Sequence, residues 1–266
     1  MRAALLFILA GVALAAYDID YDLLRPFTKK IDKNGKYLRF PGINLICMAK
    51  DRATSAAWRR IYEFVRDDET FRKYYSALPP ESYHMTVHPM YTLGDSRGNP
   101  SYFNSHLVRP EANKAFRDTQ SELDVDPFTP TPLVSDVYAR GIIALKLRLN
   151  MADNIRAKAL RKRIVDEAQL PVSTNYVSHV TLAYRFREPE TEEERAALQE
   201  SVNELRELVS EVFRGAPLQF ENAGFTFFDN MLKFVPTNPF KWDAGNPYPL
   251  DGDVVTYQER RNKEEL

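Results

Sequence analysis

The chain has 266 residues, 44% of them hydrophobic, with 16 Phe and 14 Tyr to fill a core, enough for one substantial domain or two small ones. Its formal charge of -1 provides no global basic field, so binding to duplex DNA is not expected and an anionic ligand must be held by a local site. Cys47 is the single cysteine, which excludes an intramolecular disulfide in any compartment.

In chain order, "MRAALLFILAGVALAA" opens with one Arg, an uninterrupted apolar run and a small-residue "ALA" site. This is the pattern of a cleaved signal peptide over residues 1–16, and the run is shorter than the ~20 residues a membrane span needs. No other segment approaches transmembrane length, so no span is expected after cleavage. "YLRFPGINLICMA" from Tyr37 reads as a strand broken or bulged at Pro41-Gly42, with Cys47 a buried thiol in its apolar run. From about Ser55 a helix is predicted through "YYSAL", with Trp58, Ile61, Tyr62 and Val65 at helical spacing. "LPPES" stops it, and "YHMTVHPMY" is a short strand.

A Gly-, Pro-, Asn- and Ser-rich stretch follows; its His106 is a surface loop histidine unless the loop acts as a lid. "PEANKAFRDTQSEL" is a predicted helix inside a 104–130 segment of no evident role. "LVSDVYARGIIALKLRL" carries strand signals interrupted at Gly141, "MADNIRAKALRKRIVDEAQL" is a helix, and "YVSHVTLAYRF" is a strand. The basic run at 156–163 reads as a solvated helix face rather than a nucleic-acid track. "TEEERAALQESVNELRELVSEVF" is a long amphipathic helix with acidic residues in its first turn. "LQFENAGFTFFDNMLKFVP" reads as two strands about a turn at Asp229-Asn230. Residues 237–266 read as a surface tail, and their terminal "KEEL" resembles the KDEL-type retrieval signal. With the leader, this points to the endoplasmic reticulum lumen or to secretion, and to a KDEL-type receptor as a partner.

The element order doubles an α+β pattern, and each half carries one His-x-Thr: "HMTV" at 84–87 and "HVTL" at 179–182. Side chains alternate along a strand, so His84 and Thr86 share one face while Met85 and Val87 share the other. His179 and Thr181 stand likewise against Val180 and Leu182. One such pair is ordinarily structural; two in equivalent places of a doubled architecture point to chemistry. Metal binding fits poorly, because His84 and His88 lie about 13 Å apart along a strand. A Ser-His-Asp system lacks its Gly-x-Ser-x-Gly elbow. Two convergent His-Thr pairs suit phosphate esters. One imidazole takes a proton from the attacking oxygen, the other gives one to the leaving oxygen, and the hydroxyls hold non-bridging oxygens. That chemistry needs no metal.

The two motifs, with "YLRFPGINLIC" some way before the first, resemble the 2H phosphoesterase superfamily, and within it a functionally uncharacterised branch bearing a signal peptide. The resemblance spans roughly residues 35–236 and makes 17–236 the catalytic domain. It implies a two-lobed, pseudo-symmetric α+β fold, antiparallel sheets flanked by helices around a central cleft. It also implies His84, Thr86, His179 and Thr181 as the catalytic tetrad. Members act on 2′,3′-cyclic phosphates, 2′,5′-linked oligonucleotides, ADP-ribose cyclic phosphate or RNA 3′ ends. The expected activity is therefore a metal-independent phosphodiesterase, without cofactor, on a cyclic or 2′,5′-linked nucleotide phosphodiester. The alternatives are an RNA 3′-end trimming or cyclising enzyme and a non-catalytic nucleotide-binding protein. A nucleotide or short single-stranded RNA-type molecule is the expected substrate, and a monomer the expected state. His88 and Arg185, on their neighbours' faces by strict alternation, are candidates for phosphate or base contact. Tyr91 and Phe228 are candidates for base stacking. Tyr83 and Tyr184 fall at core-facing positions.

Overall fold

The run "GINLICM" forms strand β1 (Gly42–Met48), on which Ile43, Leu45 and Cys47 alternate on one wholly buried face. The computed structural model describes residues 29–38, 40, 42–92, 110–168 and 176–236. The leader, the 93–109 stretch with His106, and the tail with its "KEEL" lie outside the described residues.

Helix α1 (Ala56–Asp67) buries Trp58, Ile61 and Val65 along one stripe. The single helix predicted through Leu78 is in fact divided at Asp68. That carboxylate accepts the backbone N–H of Phe71 at 2.7 Å and starts a second, short helix α2 (Glu69–Tyr74). Strand β2 (Tyr75–Ala77) then replaces the expected last turn, because this segment has a strand edge to pair with. A 3₁₀ turn over Pro80–Ser82 leads into β3 (His84–Thr92). Helix α3 (Pro110–Val125), the hairpin of β4 (Leu133–Ala139) and β5 (Ile142–Arg148), and helix α4 (Met151–Ala168) follow. Next come β6 (His179–Arg185), α5 (Glu192–Phe213) and the hairpin of β7 (Gly224–Asn230) and β8 (Lys233–Pro236). A full capping box fixes the start of α5: the Thr191 hydroxyl accepts the Glu194 N–H, and Glu194 reaches back to the Thr191 N–H. The β7–β8 turn falls on Met231-Leu232, two residues later than the sequence suggests, where Asn230 accepts the Leu232 N–H at 2.9 Å.

All strand pairs are antiparallel, in the order β4-β5-β6-β3-β1-β7-β8, with β2 on β6. The ladder is continuous in name, but β3 and β6 share only the pair Met85↔Val180. It therefore behaves as two small sheets meeting at a point. One, of β2, β4, β5 and β6, is packed by α1, α2 and α5; the other, of β1, β3, β7 and β8, is packed by α3 and α4. This is the α+β arrangement of antiparallel strands flanked by helices that was expected. The lobes do not coincide with the halves of the sequence, however. The chain crosses between them repeatedly, so each lobe holds elements from both halves. Helices cover the face carrying Leu45, Cys47, Met85, Val180 and Leu182, and the opposite face carries the His-x-Thr pairs.

Met85 is wholly buried at the junction of the two sheets. Met85→Ala is expected to cost about 3 kcal/mol, the range of large-to-small core changes, read as a lower urea midpoint. A loss below about 1 kcal/mol would show that the junction is not a packed core.

Candidate active site

The pair Met85↔Val180 runs antiparallel, so counting outward sets His84 beside Thr181 and Thr86 beside His179. Each imidazole thus has the other motif's threonine across the strand and the other imidazole on the diagonal. Cross-strand neighbours stand about 5 Å apart at Cβ and diagonal ones about 7–8 Å. Two rings at that separation leave room for one phosphate between their outer nitrogens.

The local backbone repeats too. His84 Nδ1–H donates to the Ser82 carbonyl at 2.7 Å, and His179 Nδ1–H donates to the Val177 carbonyl at 2.8 Å. A carbonyl oxygen carries no hydrogen, so in both rings Nδ1 must hold the proton. In the neutral ring Nε2 is then a bare acceptor, and in the charged ring it is a donor. The same contact to the carbonyl two residues before each histidine leaves the same atom, Nε2, without that partner in both rings.

Burial pushes His84 down to about 4, against the smaller upward effect of its carbonyl partner, with His179, Lys30 and Arg52 adding repulsion. His179 is also lowered, first by burial, with its carbonyl opposing and Lys30 contributing. Both rings are therefore neutral at rest near pH 7, and His84 is held so more strongly.

Four side chains that the sequence did not bring forward complete the site. Phe234 of β8 lies against His84, ring centroids 4.2 Å apart. Tyr176 stacks on His179 at 5.4 Å and 29°, and the Thr86 hydroxyl lies in hydrogen-bonding reach of its phenol, so it touches both motifs. Arg161, almost wholly buried, lies 5.6 Å from the Tyr176 ring and donates Nε–H to the Val87 carbonyl. Lys30 donates to the Tyr184 hydroxyl at 3.3 Å and acts on both histidines. Arg161 was legible only as an apolar-stripe position in a basic helix. Lys30 and Phe234 reach the site through tertiary folding, whereas Tyr176 lies only three residues before His179; no local pattern marks any of them.

Strict alternation fails beyond the motifs. In β3, Thr86 pairs with Ile46 and His88 with Leu45, so Val87 is an extra residue and His88 stands on the core face. His88 is wholly buried, with neither ring nitrogen partnered among the described residues. In β6, Thr181 pairs with Ala144 and Ala183 with Ile143, so Leu182 is extra. Leu182 and Ala183 are both buried, and Tyr184, expected to face the core, returns to the face of His179. Arg185 is turned away, opposite Tyr75 and paired with Glu188. Phe228 is buried behind Phe234 at 5.2 Å, and Phe234 is the ring that meets His84. Tyr91 pairs with Ile43 through its backbone, and its side chain lies outside the described residues. Tyr83 is wholly buried against Trp58. Cys47 is buried and free, its thiol pushed up by burial. In the basic run, Arg156, Lys162 and Arg163 pair with Asp126, Asp166, Glu122 and Glu167 as a solvated helix face does, but Arg161 departs from that reading, buried against the Val87 carbonyl. Among the described residues no cluster of His, Cys, Asp and Glu could hold a metal, and no helix is long and apolar enough to cross a membrane.

The site's burial carries a stability prediction. Burial, with Arg161 beside it, pushes His88 from 6.5 down to about 4. The unfolded chain takes up this proton below about 6.5 and the folded chain only near 4, so stability falls as pH drops through that window. Between pH 7.5 and 4.5 the share from His88 is on the order of 3 kcal/mol. His88→Leu is expected to remove most of it in urea melts at the two pH values. An unchanged pH difference would mean His88 is accessible when folded.

Residues 30–125 match the family model 2H-phosphodiest, a domain of unknown function (DUF1868). No curated protein matches the chain. The crystal structure of a conserved protein of unknown function from Agrobacterium tumefaciens str. C58, ATU0111, is similar at TM-score 0.58 and 19% identity, over 80% of this chain and 91% of that one. The structure of Usb1 from Kluyveromyces marxianus is matched at TM-score 0.41 and 16% identity, over 77% of this chain and 99% of that one. The fold is shared with the Agrobacterium protein. The resemblance to 2H phosphoesterases read from the motifs holds, and the matched residues include the first motif, with His179 and Thr181 lying beyond them.

Proposed function

We propose that the chain is a two-histidine phosphodiesterase that cleaves a cyclic or 2′,5′-linked nucleotide phosphodiester without a metal. The observation that carries this reading is the antiparallel pair Met85↔Val180, which sets each histidine across from the other motif's threonine. The matched carbonyl contacts support it, since both leave Nε2 free for proton transfer.

The more strongly lowered ring, His84, suits the base, and His179 suits the acid. His84 Nε2 takes a proton from water as the water oxygen bonds to phosphorus. The bond from phosphorus to the departing ribose oxygen breaks, and protonated His179 gives its Nε2 proton to that oxygen. One proton enters at His84 and one leaves from His179, and exchange with solvent resets the pair. The Thr86 and Thr181 hydroxyls donate to the non-bridging oxygens where charge accumulates. The substrate's own negative charge favours the protonated imidazole, so His179 gains its proton as the phosphate binds.

The test is hydrolysis in EDTA of 2′,3′-cyclic mononucleotides and 2′,5′- and 3′,5′-linked dinucleotides. His84→Ala and His179→Ala are each expected to lower kcat/KM by about 10²–10⁴-fold, the usual worth of a positioned acid or base. Turnover unchanged in either variant would overturn the assignment. Nucleotide binding without turnover in the unmodified chain would identify a binding protein instead.

The pH profile is a separate check. Turnover needs one neutral and one protonated ring, and both are lowered, His84 to about 4 and His179 below 6.5. The kcat/KM optimum is therefore expected on the acid side of 6.5, falling through pH 8 as the acid form disappears. An optimum above pH 8 would contradict the burial of these rings.

A further inference from the structure

Lys30 is built into the cleft as no ordinary surface lysine is. Its carbonyl accepts the Leu38 N–H at 3.0 Å, and Ile31 pairs with Tyr37, closing a small loop. Gly35 turns that loop at φ 83, and a Cβ there would meet the Phe186 ring at 3.1 Å, so the loop lies directly on the domain. The Tyr37 hydroxyl ties it down by donating to the Ser76 carbonyl at 2.7 Å.

The ammonium so placed lies 4.8 Å from the centroid of the Tyr184 ring and 5.4 Å from that of Phe40, and donates to the Tyr184 hydroxyl. Tyr184 shares its strand face with His179 because of the extra residue at Leu182. Among the described residues no carboxylate pairs with Lys30, whereas Arg52 is tied to Glu221, Arg60 to Glu211 and Arg185 to Glu188. A half-buried cation cradled by aromatic faces, with no counter-ion among the described residues, is suited to an incoming anion.

We propose that Lys30 is a substrate-phosphate ligand whose ammonium holds a non-bridging oxygen of the phosphodiester lying between His84 and His179. This rests on the two-histidine reading and deepens it. The histidines and threonines move protons and donate hydrogen bonds, while Lys30 supplies a fixed positive charge. The site therefore selects an anionic phosphodiester over a neutral triester. The electrostatics agree: the charge of Lys30 acts on both imidazoles, while His179 and the paired Arg52 act on His84.

The chain has only four histidines, so imidazole NMR signals resolve His84 and His179 individually. Inorganic phosphate serves as the probe, with Lys30→Met and Lys30→Arg beside the unmodified protein. Met keeps an apolar stem over the two rings, and Arg keeps the charge. Lys30→Met is expected to weaken phosphate binding by about tenfold or more, the loss of one charge-assisted hydrogen bond. It should also raise the titration midpoints of both imidazoles in the absence of phosphate. Lys30→Arg is expected to stay within about threefold of the unmodified protein, because the charge remains. Either readout left unchanged by Lys30→Met overturns the proposal. Both are read without turnover. A failure of Lys30 thus leaves the two-histidine reading standing, while turnover surviving His84→Ala or His179→Ala overturns that reading whatever Lys30 does.

Discussion

One backbone pairing, Met85 with Val180, holds the two sheets together and sets the site. Antiparallel geometry then leaves no choice about the four side chains on the open face. Each histidine must stand beside the other motif's threonine. A slip of one residue would send the apolar residues to the cleft and the His-Thr pairs into the core, and the full burial of Met85, Val180 and Leu182 opposes any such slip. Core packing and catalytic register are thus the same constraint, seen from the two faces of the strands.

A second constraint acts on the rings themselves. Carbonyls of Ser82 and Val177 fix both tautomers, and burial keeps both rings short of protons at rest. In a poorly solvated cleft, a charged imidazole is favoured only when an anion arrives. Substrate binding and protonation of the acid are then one coupled event. The aromatic walls, Phe234 on His84 and Tyr176 on His179, pack against the rings, and Tyr176 also reaches Thr86. Behind Tyr176, Arg161 secures the carbonyl of the extra residue Val87, the point where β3 leaves strict alternation.

The parts of this arrangement legible in the sequence are those set by local period. The strands around His84 and His179 follow from alternating apolar residues, and α5 from its helical stripe and acidic first turn. What was hidden depends on single extra residues and on distant chain. Val87 and Leu182 change which face carries His88, Tyr184 and Arg185, and no tetrapeptide announces such a bulge. Asp68 divides a helix that its apolar spacing would continue, because a carboxylate able to cap outweighs propensity at that point. Lys30 and Phe234 come from distant stretches and reach the site only after folding, while Tyr176, three residues before His179, carries no motif.

The most direct test of the central claim is a double-mutant cycle on kcat/KM with His84→Ala, His179→Ala and the pair, assayed in EDTA on the best substrate. If both rings act on one phosphate in one step, the double variant is no slower than the slower single variant, within about threefold, as residues that act as a unit behave. If the two losses multiply, the rings act independently, and the account of a single phosphate held between them is wrong.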